Sequence, residues 1–244
     1  MKGSNVIITG AARGLGRATA GIMAGRGAGV AIADIDGDAA RIAAKEINDA
    51  GGKAIAVAGS ITTRDAAQAI FGEAVSRLGR IDVLVNNAGI YPRLPILKIT
   101  DADWDASFAV NVRGLYNMMV AAVEHMREFG SGRIVNIASI DAFKPHPKNC
   151  HYAAMKAAVV SLTKSFGLEV APLGILVNAV APGGPISTDT ALNAGWLPSV
   201  VEETPIGFTA APEDISEVVT FVASPANRFM VGETVVVAGG YYIP

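Results

Sequence analysis

The chain has 244 residues, of which 51% are hydrophobic and 17% charged, and its formal net charge is -2. This length is typical of one α/β domain, and so apolar a composition excludes a disordered chain and favours a sheet buried on both faces. The near balance of 20 basic and 22 acidic residues excludes the charge pattern of a protein that binds nucleic acid or an anionic membrane. We therefore expect one domain over residues 1–244 with a small-molecule ligand.

The cellular compartment is predicted from cysteine usage and from the start of the chain. The single cysteine, Cys150, cannot form an intrachain disulfide, and residues 6–8 enter a strand-like run without the apolar segment of a signal peptide. No apolar stretch approaches the roughly 18 residues of a membrane-spanning helix, so the mean hydropathy of +0.38 indicates a buried sheet. We expect a soluble, cytoplasmic protein.

Short runs of β-branched residues alternate with longer Ala-rich segments along the chain. The seven predicted strands are residues 5–9, 29–34, 53–57, 82–86, 133–139, 175–180 and 234–237. The predicted helices include residues 18–26, 39–50, 66–78, 103–129 and 152–170, with another starting at Pro212. This alternation predicts a doubly wound, Rossmann-like sheet of mainly parallel strands with helices on both faces, and a ligand at the carboxyl ends of the strands. Residues 184–211 break the rhythm with three prolines, and we interpret them as a substrate lid.

A glycine-rich turn connects the first strand to the first helix. Gly10, Gly14 and Gly16 are spaced so that the backbone can turn sharply and bring main-chain N–H groups close to a pyrophosphate, in front of the positive end of a helix. Asp34 ends the second strand, where a carboxylate accepts hydrogen bonds from the adenosine ribose and repels a 2′-phosphate. This favours NAD over NADP, although Arg13 inside the turn could pair with a 2′-phosphate.

An ordered set of further motifs follows these two. Asn87-Ala88-Gly89 comes after the fourth strand, Ser139 ends the fifth, and Tyr152 and Lys156 are four residues apart on a predicted helix, so that both leave one face of it. In this order, with Asn111, Pro182-Gly183 and Gly239-Gly240, the chain resembles the short-chain dehydrogenase/reductase family across nearly its whole length.

The resemblance implies an alcohol dehydrogenase or ketoreductase with a catalytic tetrad. Tyr152 would exchange a proton with the substrate, Lys156 would lower the pKa of Tyr152 and bind the nicotinamide ribose, Ser139 would polarise the substrate oxygen, and Asn111 would hold a water for proton relay. The expected cofactor contacts are Gly10, Arg13, Gly14, Leu15, Gly16, Asp34, Ser60, Ile61, Asn87, Ala88, Gly89, Tyr152, Lys156, Pro182, Gly183, Ile186 and Thr188. The resemblance also implies a homotetramer built on the helices that start near Asp103 and Tyr152.

The sequence departs from the family pattern at three places. An extra glycine after Gly183 puts Pro185, which has no N–H, at the position that contacts the carboxamide, so we assign that role to Ile186 and the hydroxyl to Thr188. Ser60 stands where an acidic residue often contacts the adenine amine. Ala238 replaces a frequent aspartate, for which we have no functional account.

The expected pocket walls are apolar and aromatic, and they favour a neutral, cyclic or aromatic secondary alcohol. They are Ile90, Tyr91, Phe143, His151 and Trp196, beside Ser139. Neither His146 nor His151 has partners at metal-ligand spacing, so no metal is expected, and Cys150 has no assigned base and is interpreted as a packed thiol.

Two alternative functions stay open at this point. The first is an NADPH-dependent ketoreductase of the 3-oxoacyl type, which the absence of Lys and Arg from residues 184–210 disfavours. The second is a non-catalytic protein that binds the dinucleotide as a sensor, against which the intact tetrad argues.

Overall fold

The computed structural model describes residues 1–184 and 197–244, and its core is one sheet of seven strands. The strands are β1 (Asn5–Thr9), β2 (Gly29–Asp34), β3 (Lys53–Ala58), β4 (Val83–Asn86), β5 (Gly132–Ile137), β6 (Ile175–Pro182) and β7 (Thr234–Val237). They lie in the order β3-β2-β1-β4-β5-β6-β7, and every neighbouring pair is parallel. The predicted fold class is confirmed. The strand order reverses between β1 and β4, and this places the expected ligand crevice at their carboxyl ends.

Helices cover both faces of this sheet. They are α1 (Gly14–Gly25), α2 (Gly37–Asp49), α3 (Arg64–Leu78), α4 (Asp101–Phe108), α5 (Leu115–Met126), α6 (Cys150–Val170), α7 (Leu197–Glu203) and α8 (Pro212–Ala223). Side chains alternate between the two faces along each strand. On β1, Ile7 belongs to a core cluster with residues of α3, α5 and α6, whereas Val6 and Ile8 belong to a second cluster with residues of α1, α2 and α8. Burial on both faces explains the near-continuous apolar runs of the strands.

The helix predicted for residues 103–129 is interrupted. After α4, a π-helical segment over Ala109–Gly114 precedes α5, and a 3₁₀ turn over Arg127–Phe129 follows it. Within the π segment, the Asn111 Nδ2 donates to the main-chain oxygen of Ser107 at 3.1 Å. Such π-bulges widen one turn and are frequent at functional sites. The hydrophobic period could not reveal this interruption, because the apolar pattern continues through it.

The segment predicted to be an irregular lid contains a short helix, α7, in its described part. Gly184 and residues 197–211 of that segment are described, and the remainder lies outside the described residues. Within the two described ranges, no helix is both long and apolar enough to cross a membrane.

Two glycines in left-handed conformation allow a matched test of close packing. Gly130 (φ 62°) has open space where a Cβ would stand, whereas a Cβ on Gly174 (φ 75°) would overlap the main-chain oxygen of Gly130. We expect Gly130→Ala to lower the free energy of unfolding by about 1 kcal/mol, the conformational strain alone. Gly174→Ala should lower it by about 1–3 kcal/mol more. Urea denaturation measures both, and equal losses would contradict the overlap.

Candidate active site

The N-terminus of α1 is open to an anion. Its N-cap, Arg13, makes no side-chain cap hydrogen bond, and the first turn carries no acidic residue. In contrast, Asp36 caps α2 and Thr63 caps α3 through their side chains. A Cβ on Gly14 would meet nothing within 4 Å. Uncapped N–H groups at the positive end of a helix, with open space before them, fit the pyrophosphate of a dinucleotide.

The segment after β4 braces the glycine-rich turn. The Asn87 Nδ2 donates to the main-chain oxygens of Thr9 and Gly10 at 3.0 and 2.8 Å. The main-chain N–H groups of Asn87 and Ala88 both donate to the Thr9 Oγ1, at 3.1 Å each. A Cβ on Gly10 would lie 2.7 Å from the Ala88 Cα, so the close approach of the two segments requires glycine there.

Asp34 is held against the same turn. Its Oδ2 accepts a hydrogen bond from the Ala12 N–H and its Oδ1 accepts one from the Asp36 N–H, both at 3.0 Å. The guanidinium of Arg13 pairs with the Asp36 carboxylate at 3.1 Å, and both side chains are exposed. Two carboxylates therefore stand at the end of β2, and the arginine that argued for a 2′-phosphate is already paired with one of them.

The other predicted cofactor residues that the structure describes lie along the carboxyl edge of the sheet. The Ser60 Oγ is 2.9 Å from the Thr62 Oγ1, and Ile61 is a buried core residue. Pro182 ends β6, and the Gly183 N–H donates to the main-chain oxygen of Val237 at 3.0 Å. Leu15 follows Gly14 in the first turn of α1. Ile186 and Thr188, with the shifted register after Pro185, lie outside the described residues, as does Trp196.

The structure brings Asn111, Ser139, Tyr152 and Lys156 together at this edge. The Lys156 Nζ donates to the main-chain oxygen of Ile137 at 2.7 Å and lies 5.6 Å from the centre of the Tyr152 ring. The Ser139 side chain is close enough to the Tyr152 hydroxyl to lower its pKa.

Gly89 separates Asn111 from Lys156. A Cβ on Gly89 would lie 2.8 Å from the Asn111 Oδ1 and 3.8 Å from the Lys156 Nζ. The Asn111 side chain is fixed on both sides of its amide, because its Nδ2 donates to the Ile90 oxygen at 2.9 Å and its Oδ1 accepts from the Ile90 N–H at 3.2 Å. A side chain at position 89 would therefore collide with Asn111 and approach Lys156, so the close approach of Asn111 requires glycine there.

Burial dominates the acid-base properties of the tyrosine and the lysine. It raises the pKa of Tyr152, and the Asp141 carboxylate raises it further, whereas the Ser139 side chain lowers it. Burial lowers the pKa of Lys156 to about 8. That the Lys156 ammonium lowers the pKa of Tyr152 stays a prediction, since burial and the Asp141 carboxylate raise that pKa in the protein alone.

Of the pocket residues predicted from sequence, Tyr91 and Phe143 are exposed near the site, whereas His151 is buried. The Tyr91 ring lies 6.1 Å from the Tyr152 ring and is 51% exposed. Phe143 is also exposed, and its ring stacks on Tyr242 at 5.6 Å. In contrast, His151 is fully buried with its ring 6.2 Å from that of Trp104, so it faces α4 and not the expected pocket. The side chain points away because it precedes Tyr152 directly, about 100° around the helix.

Three residues near this site were missed from sequence: Asp141, Tyr241 and Tyr242. Asp141 could have been found from sequence, because it follows Ser139 by two residues. Tyr241 and Tyr242 are distant in the chain and come near the site only because of the fold. Cys150, at the start of α6, is exposed, not packed as expected. In the described ranges, no group of three or more His, Cys, Asp or Glu side chains could hold a metal ion.

The turn's close packing gives a matched test within α1. A Cβ on Gly16 would lie 2.5 Å from the Asn87 Nδ2 and 2.6 Å from the Gly10 oxygen, whereas one on Gly21 would meet nothing within 4 Å. We expect Gly16→Ala to weaken NADH binding by roughly tenfold or more, since the helix can no longer pack on the turn. Gly21→Ala should keep the affinity and add up to about 1 kcal/mol of stability. Fluorescence titration with NADH measures both, and equal affinities would contradict this account of the turn.

Comparisons with known proteins agree with this geometry. Residues 10–242 match a family model described as Enoyl-(Acyl carrier protein) reductase. The cis-4-hydroxycyclohexanecarboxylate dehydrogenase of Sinomonas cyclohexanicum is 40% identical over 96% of this chain and 95% of its own length. A short-chain type dehydrogenase/reductase from Mycobacterium marinum superposes with a TM-score of 0.94 at 33% identity, over 100% of this chain and 97% of that one.

A further solved structure has a bound dinucleotide in its title. It is a 3-ketoacyl-(acyl-carrier-protein) reductase from Brucella melitensis complexed with NADH, with a TM-score of 0.92 at 34% identity over 99% of each chain. The family model, the sequence relatives and the solved structures all match this chain over almost its full length. In this chain, the glycine-rich turn and the tetrad residues lie at one edge of the sheet. The chain is an oxidoreductase that belongs to the short-chain dehydrogenase/reductase family.

Proposed function

We propose that this protein is an NAD(H)-dependent enzyme that interconverts a secondary alcohol and a ketone. The observation that carries the proposal is the convergence of Ser139, Tyr152, Lys156 and Asn111 at the carboxyl edge of the sheet, beside the uncapped N-terminus of α1. NAD, when bound, supplies the hydride acceptor for the alcohol. The side chains of the tetrad hold the substrate oxygen and move its proton.

Tyr152 is the proposed acid and base. The Ser139 side chain lies close to its hydroxyl, so a substrate oxygen that binds both hydroxyls is held at the atom that gains or loses the proton. Ser139 donates to this oxygen and stabilises negative charge as it develops. Because burial raises the pKa of Tyr152, the phenol stays protonated, which is the form that ketone reduction requires.

Lys156 is proposed to connect Tyr152 to the solvent. Its Nζ is fixed by the Ile137 oxygen, and its pKa of about 8 permits exchange of a proton close to neutral pH. The Asn111 Oδ1 and the Lys156 Nζ both lie within 4 Å of the place where a Cβ of Gly89 would stand. We propose that a water at this place completes the proton path, with Asn111 held in place by Ile90 and the π segment.

The preference for NAD rests on the charges at the end of β2. Asp34 and Asp36 oppose a 2′-phosphate, and the pairing of Arg13 with Asp36 removes the cation that would attract one. The Brucella neighbour, titled as a complex with NADH, supports this preference.

For the substrate, we propose a cyclic or aromatic secondary alcohol, neutral around its reacting carbon. The exposed rings of Tyr91 and Phe143 offer apolar walls. The Sinomonas relative, named for a hydroxycyclohexanecarboxylate, supports a ring-bearing substrate.

A 3-oxoacyl ketoreductase is the second candidate, because the Brucella neighbour and the matching family model are described by acyl-carrier-protein substrates. The acidic Glu202 and Glu203 after the described start of α7 argue against the phosphate of such a carrier. If the protein binds NADH but turns over no member of a broad panel of alcohols and ketones, the non-catalytic dinucleotide sensor is favoured.

We also propose a homotetramer. Apolar side chains on the helices named for it are exposed in the single chain, which supports their burial by neighbouring copies. They are Trp104 and Phe108 of α4, Tyr116 of α5 and Leu168 of α6. Light scattering measures the assembly.

Removal of the Tyr152 hydroxyl tests the proposed chemistry. We expect Tyr152→Phe to lower kcat at least about 100-fold, because the proton donor is lost, while the Kd for NADH stays within a few-fold. The assay follows NAD reduction with secondary alcohols, chiefly 4-hydroxycyclohexanecarboxylate isomers and cyclohexanol. Tyr116→Phe, which removes a hydroxyl from α5, serves as the control and should keep its activity. Near wild-type kcat in Tyr152→Phe would overturn the mechanism.

Removal of the Asp34 charge tests the cofactor preference. Asp34→Asn keeps an acceptor for the Ala12 N–H but loses the negative charge, so the ratio of kcat/KM for NAD over NADP should fall by roughly tenfold or more, since tenfold corresponds to about 1.4 kcal/mol. Asp38→Asn makes the same charge change on the exposed first turn of α2 and should leave the ratio unchanged. A wild-type enzyme that prefers NADP would overturn the assignment.

A further inference from the structure

The chain turns back sharply after β7, and the proposed mechanism does not use this turn. The Tyr241 N–H donates to the main-chain oxygen of Ala238 at 2.9 Å and closes the turn. The two residues between them, Gly239 and Gly240, have φ values of 58° and 87°, a region that favours glycine. We call residues 238–242 the C-terminal turn. It ends in two tyrosines, and their contacts indicate what the turn holds.

On one side, the C-terminal turn packs on the segment that follows Ser139. The Phe143 ring is parallel to the Tyr242 ring, with an interplanar angle of 4° and 5.6 Å between the ring centres. The His146 ring stacks on the Tyr241 ring at 5.8 Å, with an interplanar angle of 22°. Parallel rings at these distances attract each other beyond the effect of the area that they bury.

Lys144 adds a polar contact between the same two segments. Its Nζ donates to the main-chain oxygen of Tyr241 at 3.1 Å and lies 3.8 Å from the centre of the Tyr241 ring. The N–H groups of Phe143 and Lys144 both donate to the Ile140 oxygen at 2.8 Å, so this segment continues directly from the turn after Ser139. The C-terminal turn therefore holds three side chains of residues 143–146.

On its other side, the C-terminal turn contacts the segment after α7. The Ile206 N–H donates to the Gly239 oxygen at 3.1 Å. A Cβ on Gly239 would lie 2.7 Å from the Ile206 Cγ2, and one on Gly240 would lie 2.9 Å from the Pro205 Cγ. Contacts this close require glycine at both positions. Residues 204–206 belong to the segment that is expected to cover the substrate.

The C-terminal turn thus bridges two walls of the proposed substrate site. Phe143 is exposed near the tetrad and was expected to line the pocket. Residues 204–206 are distant from it in the chain, and both are fixed to the same short turn through ring, polar and main-chain contacts. Because the interior of a protein is packed and not fluid, such a bridge sets the separation of the two walls.

We propose that Tyr241 and Tyr242 are positioning residues that determine substrate specificity, because they fix the Phe143 wall relative to residues 204–206. The stacked rings of Phe143 and Tyr242 form one broad apolar surface that fits the ring of a cyclic or aromatic alcohol. A small open-chain alcohol covers less of this surface and depends less on it. The inference rests on the proposed function, since it names the residues that select the substrate of that site.

Removal of one ring tests the proposal. Tyr242→Ala leaves Phe143 without its stacking partner, so the ratio of kcat/KM for cyclohexanol over 2-butanol should fall about three- to tenfold. The loss should come chiefly from a higher KM for cyclohexanol, because binding and not proton transfer is weakened. An unchanged ratio would overturn the proposal.

Two variants separate this role from folding. Tyr242→Phe keeps the ring and should restore the wild-type ratio. Ile243→Ala shortens the next side chain, which is 78% exposed, and should leave the ratio unchanged. The Kd for NADH should stay at its wild-type value in each variant, since the glycine-rich turn lies elsewhere on the sheet. A ratio that falls equally in Tyr242→Ala and Tyr242→Phe contradicts a role for the stacked ring.

A double-mutant cycle tests whether the two rings act as one unit. Phe143→Ala should lower the same ratio by a similar factor. In the Phe143→Ala background, Tyr242→Ala should have little further effect, because its stacking partner is already absent. Losses that multiply in the double variant would show that the rings act independently, and this would overturn the proposed pairing.

A readout that needs no substrate distinguishes failure of the inference from failure of the proposed function. Hydrogen exchange followed by mass spectrometry reports the main-chain amides of residues 140–147 and 204–207. In the double variant Tyr241→Ala/Tyr242→Ala, both peptides should exchange at least about threefold faster, because the bridge between them is weakened, while α3 keeps its rate. Unchanged exchange in either peptide overturns the inference. Faster exchange in both, without turnover of any alcohol, supports the bridge and overturns only the alcohol dehydrogenase assignment.

Discussion

The hydrogen bond from the Lys156 Nζ to the Ile137 oxygen connects the helix of the site to its sheet. Ile137 is the last residue of β5, and Ser139 follows within two residues, while Tyr152 lies one turn before Lys156 on α6. One buried contact of 2.7 Å therefore sets the distance between the strand that carries the serine and the helix that carries the tyrosine. A buried ammonium needs such an acceptor, since a charge without a partner in the interior is strongly unfavourable.

Burial gives this site its acid-base character. It disfavours the charged form of each group, so that the tyrosine is held neutral and the lysine becomes a weaker base. The Asp141 carboxylate raises the pKa of Tyr152 further and raises that of Lys156 against the effect of burial, because charges are poorly screened in an interior of low dielectric.

The cofactor end of the site depends on contacts between backbones. The turn after β1 is held by Thr9 and Asn87, and the N-terminus of α1 has no protein cap. At the opposite end of the tetrad, the π segment gives Asn111 bonds to Ile90 and Ser107. In the turn after β1 and at the π segment, polar groups of two chain segments approach each other with no long side chain between them. The glycines at positions 10, 16 and 89 are needed because another main chain or a site residue occupies the space of a Cβ.

Most of the framework follows from local sequence pattern. All seven strands were predicted within a few residues, and so were the helices apart from α7 and the break between α4 and α5, because strongly apolar β-branched runs alternate with Ala-rich segments and glycine turns. That Tyr152 and Lys156, the proposed proton-transfer pair, share one face of a helix was also predicted from their spacing of four residues. The alternation of strands and helices and the four-residue spacing involve residues that are close in the chain, so both can be recognised from the sequence.

The sequence by itself thus determined the fold class, and it predicted the turn for the dinucleotide and the residues of the proposed tetrad. Only the tertiary structure decided the pairing of Arg13 with Asp36, the burial of His151 against Trp104, the π segment at Asn111 and the contact of Tyr241 with His146. Each of these depends on elements that are distant in the chain, or on a hydrogen bond that no hydrophobic period records. Burial, which sets the pKa of Tyr152 and Lys156, is likewise a property of the packed whole, because it requires every element around the site to be in place.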